Sequence, residues 1–291
     1  MTPPGSVPSL RGTPDRDLRD GTLAILLKRR PLWVMLRNAE HPTMQEKEIR
    51  EVAGLLRQKP RVAVLTGAGI SAESGIPTFR GKNGLWKQFR AEDLATPEAF
   101  ERDPALVWEW YDWRRRIIAG REPNAGHLIL ARWEGELPSF VLITQNVDGL
   151  HRRAGSKNIL ELHGNIWQLR CLEEGTMSEN FESPLLDIPP RCPACGGLFR
   201  PNVVWFGEAL PRLILEQAQA ASMAAELMLV IGTSAYVQPA ASLPLVAAEA
   251  GAKIVEINPD LTPLSTCADH SLHGKAGEVL LEIDAAWRDA S

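Results

Sequence analysis

Five short apolar runs recur along the chain, and each ends in small or polar residues. They span residues 61–66, 140–144, 158–163, 225–232 and 252–258. Runs that are apolar almost throughout, rather than at alternate positions, are typical of strands buried on both faces of a parallel sheet. Because helical stretches separate most of them, the pattern predicts an α/β fold with a Rossmann-like parallel sheet and helices on both faces. The carboxyl ends of parallel strands meet at one edge, so the polar residues that follow the runs should converge on one crevice.

Two stretches interrupt this alternation and predict a second, smaller module. Residues 87–135 have a helical pattern rich in Trp and Arg, and residues 165–203 contain three cysteines and two adjacent prolines with little periodicity. We expect both to be insertions that form one small module, partly helical and partly like a zinc ribbon. The large part of the domain then comprises residues 44–86, 136–164 and 204–291.

The first 43 residues differ from the rest of the chain. Residues 1–43 are rich in Pro, Gly, Arg and Asp, whereas a clean helical pattern begins at Met44. We expect a poorly ordered extension that is dispensable for chemistry and a catalytic domain over 44–291; a functional start at Met44 is the alternative. The acids Asp15, Asp17 and Asp20 argue against a mitochondrial transit peptide, which is poor in acids.

Composition narrows the classes of partner and compartment. Hydrophobic residues make up 44% of the 291 and charged residues 23%, as is ordinary for a folded globular protein. The net charge of −4 gives no reason to expect nucleic acid as the main partner. No apolar run reaches the roughly 18 residues of a membrane span. Four cysteines are too few for a disulfide scaffold in so long a chain, which favours a reducing, cytoplasmic compartment.

The first apolar run is followed by a glycine pattern that is typical of phosphate binding. Gly67, Gly69 and Ala72 match G-x-G-x-x-[G/A] between a strand and an expected helix. Glycines let the backbone approach a pyrophosphate, and the start of the helix adds N–H donors and positive potential. The alternative is an ordinary tight turn from strand to helix.

One feature of a dehydrogenase is missing after this loop. Such enzymes carry an acid about 20 residues further on, at the end of a second strand. Glu92 and Asp93 lie near that distance, but residues 73–94 have the glycine-rich pattern of a long loop. The sequence therefore disfavours hydride transfer and favours a nucleotide that is used in another way.

Six motifs resemble, in order and spacing, those of the sirtuin family of NAD-dependent protein lysine deacylases. They are GAGISAESGIPTFRG, TQNVDGLHRRAG, ELHGN, VVWFGE, GTSAYVQPAA and the closing stretch from IN to HGKAGEVL, at residues 67–81, 144–155, 161–165, 203–208, 232–241 and 257–280. The resemblance implies that NAD is consumed. The acyl oxygen of an acyl-lysine attacks C1′ of the nicotinamide ribose, nicotinamide leaves, and a histidine takes a proton from a ribose hydroxyl. Free lysine and O-acyl-ADP-ribose result.

The resemblance assigns the catalytic base to His163, with Asn146 beside it in the catalytic machinery. An imidazole titrates near neutral pH, so it can accept a proton without a large pKa shift. His127 and His151, by contrast, are expected to cap a helix or to form local hydrogen bonds. The residues implied to bind NAD are Gly67, Ala68, Gly69, Ala72, Ile76, Phe79, Arg80, Trp86, Gln145, Asn146, Val147, Asp148, Gly232, Thr233, Ser234, Asn258 and Ala276.

Three of the four cysteines have the spacing of a zinc ribbon. Cys192 and Cys195 form a C-x-x-C pair, and Cys171 lies upstream at ribbon spacing. Most sirtuins have two complete pairs, whereas here Glu174 stands where the partner of Cys171 would be. We expect a structural zinc held by the three thiolates, with Glu174, another side chain or water as the fourth ligand; a module that keeps its shape without metal is the alternative. Cys267 is expected to be a small buried hydrophobe.

An aromatic and basic helix carries the candidate acyl-binding residues. Tyr111 and Arg114 are three residues apart and share one face. The plain interpretation is a solvated Arg-rich face with aromatics packed inward. A subset of sirtuins has Tyr-x-x-Arg at the acyl pocket, where a guanidinium and a tyrosine hydroxyl can hold a carboxylate. The resemblance therefore implies that the protein accepts succinyl-lysine and related acidic groups besides acetyl, and we hypothesise that succinyl is preferred.

The VVWFGE segment is expected to hold the substrate peptide. An extended peptide can add as a strand through main-chain hydrogen bonds, which makes selectivity for peptide sequence weak. The implied substrate contacts are Val204, Phe206 and Gly207, and the expected partners are acyl-lysine proteins or peptides. Neither the target proteins nor the oligomeric state follows from the sequence.

Two other functions are compatible with the same fold. Mono-ADP-ribosyl transfer to protein uses the same electrophilic carbon with a different nucleophile. A non-catalytic sensor of NAD or ADP-ribose is the other alternative, against which the complete set of His163, Asn146 and Asp148 argues.

Overall fold

The computed structural model describes residues 43–78 and 89–289 of the chain. Its strands, in chain order, are β1 (Arg61–Thr66), β2 (Ser139–Thr144), β3 (Ile159–Glu161), β4 (Gly164–Cys171), β5 (Met177–Glu179), β6 (Phe199–Val203), β7 (Leu227–Ile231), β8 (Lys253–Asn258) and β9 (His270–His273).

Helices separate most of these strands. They are α1 (Met44–Arg57), α2 (Ala68–Ala72), α3 (Ala91–Leu94), α4 (Pro97–Arg102), α5 (Pro104–Ala119), α6 (Ala125–Glu136), α7 (Leu150–Ala154), α8 (Arg212–Ala224), α9 (Leu243–Glu249) and α10 (Ala276–Arg288), with 3₁₀ turns at Ala240–Ser242 and Pro263–Thr266. None of the described helices is both long and apolar enough to cross a membrane.

The main sheet has six strands in the order β3-β2-β1-β7-β8-β9, and every neighbouring pair is parallel. In order of appearance along the chain this is 3-2-1-4-5-6, the order of dinucleotide-binding folds, whose ligands lie where the order reverses. Here that point falls between β1 and β7. The predicted parallel α/β sheet is thus confirmed, with one strand more than predicted: β9 is short, and only Leu272 of its four residues is buried.

The apolar runs form strands because both of their faces are covered. All five residues of β7 are buried, and so are the last five of β1. Apolar residues of the two strands divide between two clusters on opposite faces of the sheet, one holding Val64 and Leu229, the other Leu65 and Met228. Burial of this kind, at about 25 cal/mol per Å² of apolar area, is the main force that holds the sheet between its helices.

The second sheet has three antiparallel strands in the order β5-β4-β6. Helix α5 packs on it through buried aromatics: Trp108 donates its indole N–H to the carbonyl oxygen of Phe199 at 2.8 Å. Trp108, Trp110 and Tyr111 belong to a separate core cluster that also includes residues of β4 and β6. The two insertions therefore pack together, although the boundaries proposed for the two parts of the domain stay predictions.

The predicted helix start at Met44 agrees with the structure. Thr43 caps α1: its hydroxyl accepts a hydrogen bond from the Glu46 amide, and the Glu46 carboxylate accepts one from the Thr43 amide. This reciprocal capping box is a strong signal for a helix start. Residues 1–42 of the predicted extension (1–43) and the predicted NAD contacts Phe79, Arg80 and Trp86 lie outside the described residues.

Candidate active site

Polar residues that follow the central strands are joined by hydrogen bonds at the carboxyl edge of the main sheet. The side-chain amide of Asn146 donates to the Gly67 carbonyl oxygen at 3.0 Å, which connects the loop after β2 to the loop after β1. The side-chain amide of Gln145 donates to the Thr233 hydroxyl at 2.9 Å, and that of Asn258 donates to the Thr233 carbonyl oxygen at 2.7 Å. The predicted convergence of the strand ends on one crevice is therefore present.

The glycine loop is built on a close backbone contact between the ends of β1 and β7. The Gly69 amide donates to the Gly232 carbonyl oxygen at 2.8 Å. A Cβ atom at Gly67 would lie 2.8 Å from that oxygen, and one at Gly69 would lie 2.7 Å from the Gly232 Cα atom. Gly232 itself has φ of 60°, in the left-handed region that favours glycine. A side chain at any of the three would fill the cradle, so this loop suits a phosphate that lies directly against backbone.

A buried chain of hydrogen bonds lies behind this loop. His127 Nδ1 accepts a hydrogen bond from the backbone N–H of Asn124 at 3.3 Å. The ring hydrogen is therefore on Nε2, which lies 3.4 Å from the Ser71 hydroxyl and donates to it. Ser71 donates to Asp148 Oδ2 at 2.7 Å and accepts from the Asn146 amide at 3.2 Å. The carboxylate of Asp148 and the carboxamide of Asn146, both implied to bind NAD, are thus fixed relative to each other through one hydroxyl.

Burial sets the charge of this group of side chains. It lowers the pKa of His127 to about 4, so this imidazole is neutral near physiological pH. It also raises the pKa of Asp148, although hydrogen bonds from the Leu150 amide and Ser71 and the charge of Arg114 oppose that rise. This group therefore contains an uncharged histidine and a carboxyl group that is easier to protonate than an exposed one.

His163 lies between β3 and β4 with a defined tautomer. Its Nδ1 atom is 2.9 Å from the Gln145 carbonyl oxygen, which can only accept, so Nδ1 carries the hydrogen and Nε2 has the free lone pair. Burial lowers the pKa of His163 below its usual 6.5, and the bond to Gln145 opposes that shift. The ring is therefore neutral near pH 7 and can accept a proton at Nε2.

Six more of the predicted NAD residues lie in the described part of the chain. Ile76 and Val147 both pack against the apolar cluster of the small module. Ala72 ends α2, and Ala276 begins α10, whose Gly277 amide donates to the Glu73 carboxylate at 2.9 Å. The other two, Ala68 in the first turn of α2 and Ser234 directly after Thr233, lie on the loops already described.

Tyr111 and Arg114 lie on α5 beside this crevice. The Arg114 guanidinium carbon is 5.7 Å from the centroid of the Tyr111 ring and 5.0 Å from that of Trp110. Burial lowers the pKa of Arg114, and the charges of Tyr111 and Asp148 oppose the shift. Arg114 and Asp148 therefore interact electrostatically. The candidate acyl-binding residue thus lies within electrostatic range of a candidate NAD-binding residue.

The segment after β6 is held on both sides by the chain itself. The Val204 amide donates to the His163 carbonyl oxygen, and the Phe206 amide donates to that of Ala95, both at 2.9 Å. Gly207 has φ of 87°, so it turns the chain away at the end of the segment. The Phe206 side chain is half exposed and faces solvent.

Three cysteines and one glutamate meet at the edge of the small sheet. Their ligand atoms, from Cys171, Glu174, Cys192 and Cys195, all lie within 4.8 Å of one another. Three thiolates and a carboxylate are a donor set that zinc accepts, and the spread suits tetrahedral ligation with bonds of about 2.0–2.3 Å. The donor set thus fits the predicted zinc. The expectation for Cys267 was wrong: it is exposed, because it caps a surface 3₁₀ turn with its thiol on the Leu264 carbonyl oxygen at 3.3 Å.

Sequence reasoning missed one residue of the buried chain, Ser71, and one contact of another, His127. Ser71 lies at a variable position of the glycine motif. The expectation that His127 caps a helix or bonds locally is confirmed, since its Nδ1 accepts the backbone N–H of Asn124 at the start of α6. The sequence gives one signal: His127 follows Asn124, a favoured cap residue, by three positions, so its ring could be expected at a helix start. Its contact with Ser71, 56 residues away, is a property of the tertiary structure.

The chain is similar to a known protein family and to several of its members. Residues 67–239 match the Sir2 family. The NAD-dependent protein deacylase of Aquifex aeolicus (strain VF5) is 58% identical over 222 residues, which cover 76% of this chain and 93% of the relative. The structure of a Sir2 homolog–NAD complex is 47% identical with a TM-score of 0.77, over 88% of this chain and 99% of its own. That of a Sir2 homologue mutant with 2′-O-acetyl ADP ribose is 48% identical with a TM-score of 0.78, over 85% and 98%.

Fold and site together define an α/β protein with a nucleotide crevice at the strand ends and an inserted small module. The extent of these matches shows more: the chain belongs to the Sir2 family. The resemblance drawn from the six motifs is thereby confirmed.

Proposed function

We propose that the protein is an NAD-dependent protein lysine deacylase that removes acetyl and acidic acyl groups such as succinyl. The observation that carries the proposal is the geometry of His163. Its Nδ1–H is fixed on the Gln145 carbonyl oxygen at 2.9 Å, which leaves Nε2 as the nitrogen that can accept a proton, and Gln145 directly precedes Asn146 in the chain. Similarity to an NAD-dependent protein deacylase and to a Sir2 homolog–NAD complex supports it.

The crevice fits NAD in both charge and shape. Gly67, Gly69 and Gly232 form the cradle against which a pyrophosphate would lie, and Thr233 and Asn258 end the strands next to it. Asn146 and Asp148 would hold the carboxamide of nicotinamide. When bound, NAD supplies an electrophilic ribose carbon, C1′, with nicotinamide as its leaving group.

The residues of the chain then have separate tasks. Ser71 holds Asn146 and Asp148 in register, so that the pocket is organised before the ligand arrives. His163 accepts a proton from a ribose hydroxyl at Nε2, and the Gln145 carbonyl oxygen stabilises the imidazolium through Nδ1–H. A positioned general base of this kind contributes about 10²- to 10⁴-fold to a rate.

A mass-spectrometric assay tests this function. Acetyl-lysine and succinyl-lysine peptides are incubated with and without NAD, with the wild-type protein and His163→Ala. We expect acyl loss and nicotinamide release that require NAD and fall at least about 100-fold in the variant. An added ADP-ribosyl group on the peptide would favour the transferase, and NAD binding without turnover a sensor. A protein that does not bind NAD would overturn the proposal.

The acyl preference rests on Tyr111 and Arg114. Arg114 is partly buried, and the charge of Asp148 acts on it; its guanidinium can bind a carboxylate through two N–H groups. Charge-assisted hydrogen bonds are worth about 1.5–3 kcal/mol each, so two of them amount to about 3–6 kcal/mol. Arg114→Met should therefore lower kcat/KM for the succinyl peptide by about 10²- to 10⁴-fold and spare the acetyl peptide.

The neighbouring arginine provides the control for that experiment. The side chain of Arg116 is 55% exposed and pairs with Asp112 at 2.8 Å on the same helix. Arg116→Met removes the same charge from α5 without approaching the acyl site, so the ratio of the two activities should not change. Equal loss of both activities in Arg114→Met would refute the assignment of the pocket.

The peptide is proposed to run along the segment from Val204 to Gly207. Because the amides of Val204 and Phe206 already donate within the chain, the peptide would have to use carbonyl oxygens of this segment as acceptors. Main-chain contacts of this kind do not read side chains, which suits an enzyme of low sequence selectivity. A peptide with N-methylated amides next to the acyl-lysine should bind at least about fivefold more weakly, the value of one hydrogen bond.

We propose that the small module holds a structural zinc, with Glu174 as the fourth ligand beside the three thiolates. Zinc would crosslink the two ends of the insertion, at a distance from the strand-end crevice. Thiolates kept as metal ligands suit a reducing compartment, which supports a cytoplasmic location. Elemental analysis should find one zinc per chain. Release of zinc to a colorimetric chelator should be slower than in the wild type for Glu174→Cys and faster for Glu174→Ala. Glu173 is exposed, so Glu173→Ala serves as the control and should release zinc as the wild type does. Equal release from all variants would refute Glu174 as a zinc ligand.

A further inference from the structure

Trp205 lies in the middle of the proposed substrate segment, but its side chain turns inward. Only 3% of it is exposed, whereas Phe206 next to it is half exposed. The Trp205 indole N–H donates to the hydroxyl oxygen of Tyr111 at 2.9 Å, across 94 residues of sequence. Trp205 was not among the residues implied to bind substrate. The contact links the segment expected to hold the peptide to the residue expected to hold the acyl group.

The indole is fixed in place by a cluster of its own. The Arg200 guanidinium carbon lies 3.4 Å from the centroid of the Trp205 ring, and Arg200 makes two hydrogen bonds to the Glu208 carboxylate, at 2.6 and 2.9 Å. Glu208 also accepts the backbone N–H of Trp205 at 2.8 Å. Phe100 contacts the same indole, with ring centroids 5.2 Å apart. With its backbone and its ring both held, Trp205 offers its N–H in one direction only.

This contact determines what the Tyr111 hydroxyl can do. A phenol has one hydrogen to donate and lone pairs to accept with. Because Trp205 donates to the oxygen, the hydroxyl hydrogen of Tyr111 must point elsewhere. None of residues 43–78 or 89–289 accepts a hydrogen bond from it. The Arg114 guanidinium lies over the same ring at 5.7 Å. A carboxylate bound by Arg114 would be an acceptor for this hydrogen.

We infer that Trp205 is a positioning residue for acidic acyl groups, which orients the Tyr111 hydroxyl as a donor to the acyl carboxylate. The inference rests on the proposed acceptance of acidic acyl groups and deepens it. An acetyl group has no carboxylate, so it gains nothing from this donor. Trp205 thus favours succinyl over acetyl turnover without touching either substrate.

A double-mutant cycle with both peptides tests this role. Trp205→Phe keeps an aromatic ring but removes the N–H. We expect it to lower kcat/KM for the succinyl peptide about two- to tenfold, mainly through KM, as the loss of one hydrogen bond predicts. The value for the acetyl peptide should change less than twofold. In a Tyr111→Phe background, Trp205→Phe should have no further effect on the ratio of the two activities, because the hydroxyl it acts through is gone.

Trp108 provides a matched control. It is also a buried tryptophan of this core, but its indole N–H donates to the Phe199 carbonyl oxygen rather than to Tyr111. Trp108→Phe removes an equivalent hydrogen bond and should lower the free energy of unfolding by a similar amount. It should leave the succinyl-to-acetyl ratio unchanged, which separates general loosening of the core from an effect on Tyr111.

The outcomes distinguish this role from the proposed function. A wild-type protein that deacetylates but does not desuccinylate refutes the acidic-acyl preference, and with it the role of Trp205. A wild-type desuccinylase in which Trp205→Phe lowers both activities equally, or still changes the ratio without the Tyr111 hydroxyl, refutes Trp205 alone. If Trp205→Phe does not fold, ¹⁵N spectra of the tryptophan indole N–H groups test the role instead. The Trp205 resonance is identified as the one that shifts in Tyr111→Phe, because that variant removes its hydrogen-bond acceptor. In the wild-type protein this resonance should shift on addition of the succinyl peptide but not of the acetyl peptide, and an equal shift with both peptides overturns the role.

Discussion

The contact between Gly69 and Gly232 gives a prediction whose size follows from the geometry. An alanine Cβ at Gly69 would lie 2.7 Å from the Gly232 Cα atom, so reaching an ordinary contact of 3.4 Å requires a shift of 0.7 Å (3.4 − 2.7). Such a shift would stretch the 2.8 Å hydrogen bond between the same two residues to about 3.5 Å, where it is nearly lost. Overpacking and the lost bond together cost about 2–4 kcal/mol.

A second glycine provides the control for this change. Gly54 lies inside α1, and a Cβ atom there would meet nothing within 4 Å. Gly54→Ala should therefore raise the free energy of unfolding by about 1 kcal/mol, since alanine is the better helix former. The same chemical change thus has opposite signs at two sites, depending only on the space around the Cβ atom.

Thermal denaturation and calorimetric titration with NAD check both variants. We expect Gly69→Ala to lower Tm by about 4–16 °C and Gly54→Ala to raise it by about 2–4 °C. Gly69→Ala should also weaken NAD binding at least about tenfold, since the cradle is displaced by more than the tolerance of a hydrogen bond. If Gly69→Ala unfolds and binds NAD as the wild type does, the two loops are not in the close contact on which the cradle depends.

Two further predictions concern protons and charge. Because burial lowers the pKa of His163 below 6.5, kcat/KM for the acetyl peptide should rise with pH through an apparent pKa below 6.5 and level off above it; a midpoint above 6.5 would contradict this. Burial alone would raise the pKa of Asp284, but hydrogen bonds from Trp133 and two arginines outweigh it and hold the pKa below 3.8. The stability from Asp284 is therefore complete above pH 3.8 and is lost as pH falls through the lower folded pKa. Asp284→Ala, which orphans the Trp133 N–H, should cost about 3 kcal/mol in urea denaturation at neutral pH. Glu136→Ala removes a carboxylate that pairs with Arg288 at the surface and should lower the free energy of unfolding by at most about 1 kcal/mol. Equal losses in the two variants would refute the difference drawn between the buried and the surface carboxylate.

The sheet could be predicted because its strands bury both faces and leave a one-dimensional signal. Each of the five apolar runs overlaps an observed strand, within two residues at either end. The strand β9 escaped because it is an edge strand with one buried residue, Leu272. The small sheet escaped for a different reason: β4 is buried in an irregular pattern and its pairing with β6 contains a bulge between Asn165 and Leu169, so neither alternation nor a continuous run marks it.

The site was predictable only as far as strand ends determine it. The rule that polar residues gather at the carboxyl edge predicts that Asn146, Asp148 and His163 lie at the same edge, because each comes within four residues of the end of a strand. It says nothing of contacts made by the inserted module, whose position on the sheet leaves no mark in the sequence. Trp205 therefore looked like one apolar residue of a substrate strand, while its partner Tyr111 is 94 residues away.

The proposed catalytic residues and the proposed acyl-binding residues lie in different modules, so the reaction and the choice of acyl group can vary separately. The proposed base and the NAD cradle stand on strand ends of the main sheet, whose backbone geometry tolerates little change at Gly69 or Gly232. The proposed acyl-binding side chains stand on α5, in a separate core of aromatic side chains. The His163 carbonyl oxygen, which accepts the Val204 amide, joins the two at the peptide segment. A substitution on α5 can then alter the acyl group that is accepted without moving the proton acceptor, whereas a substitution in the glycine cradle should lower turnover of every acyl group alike.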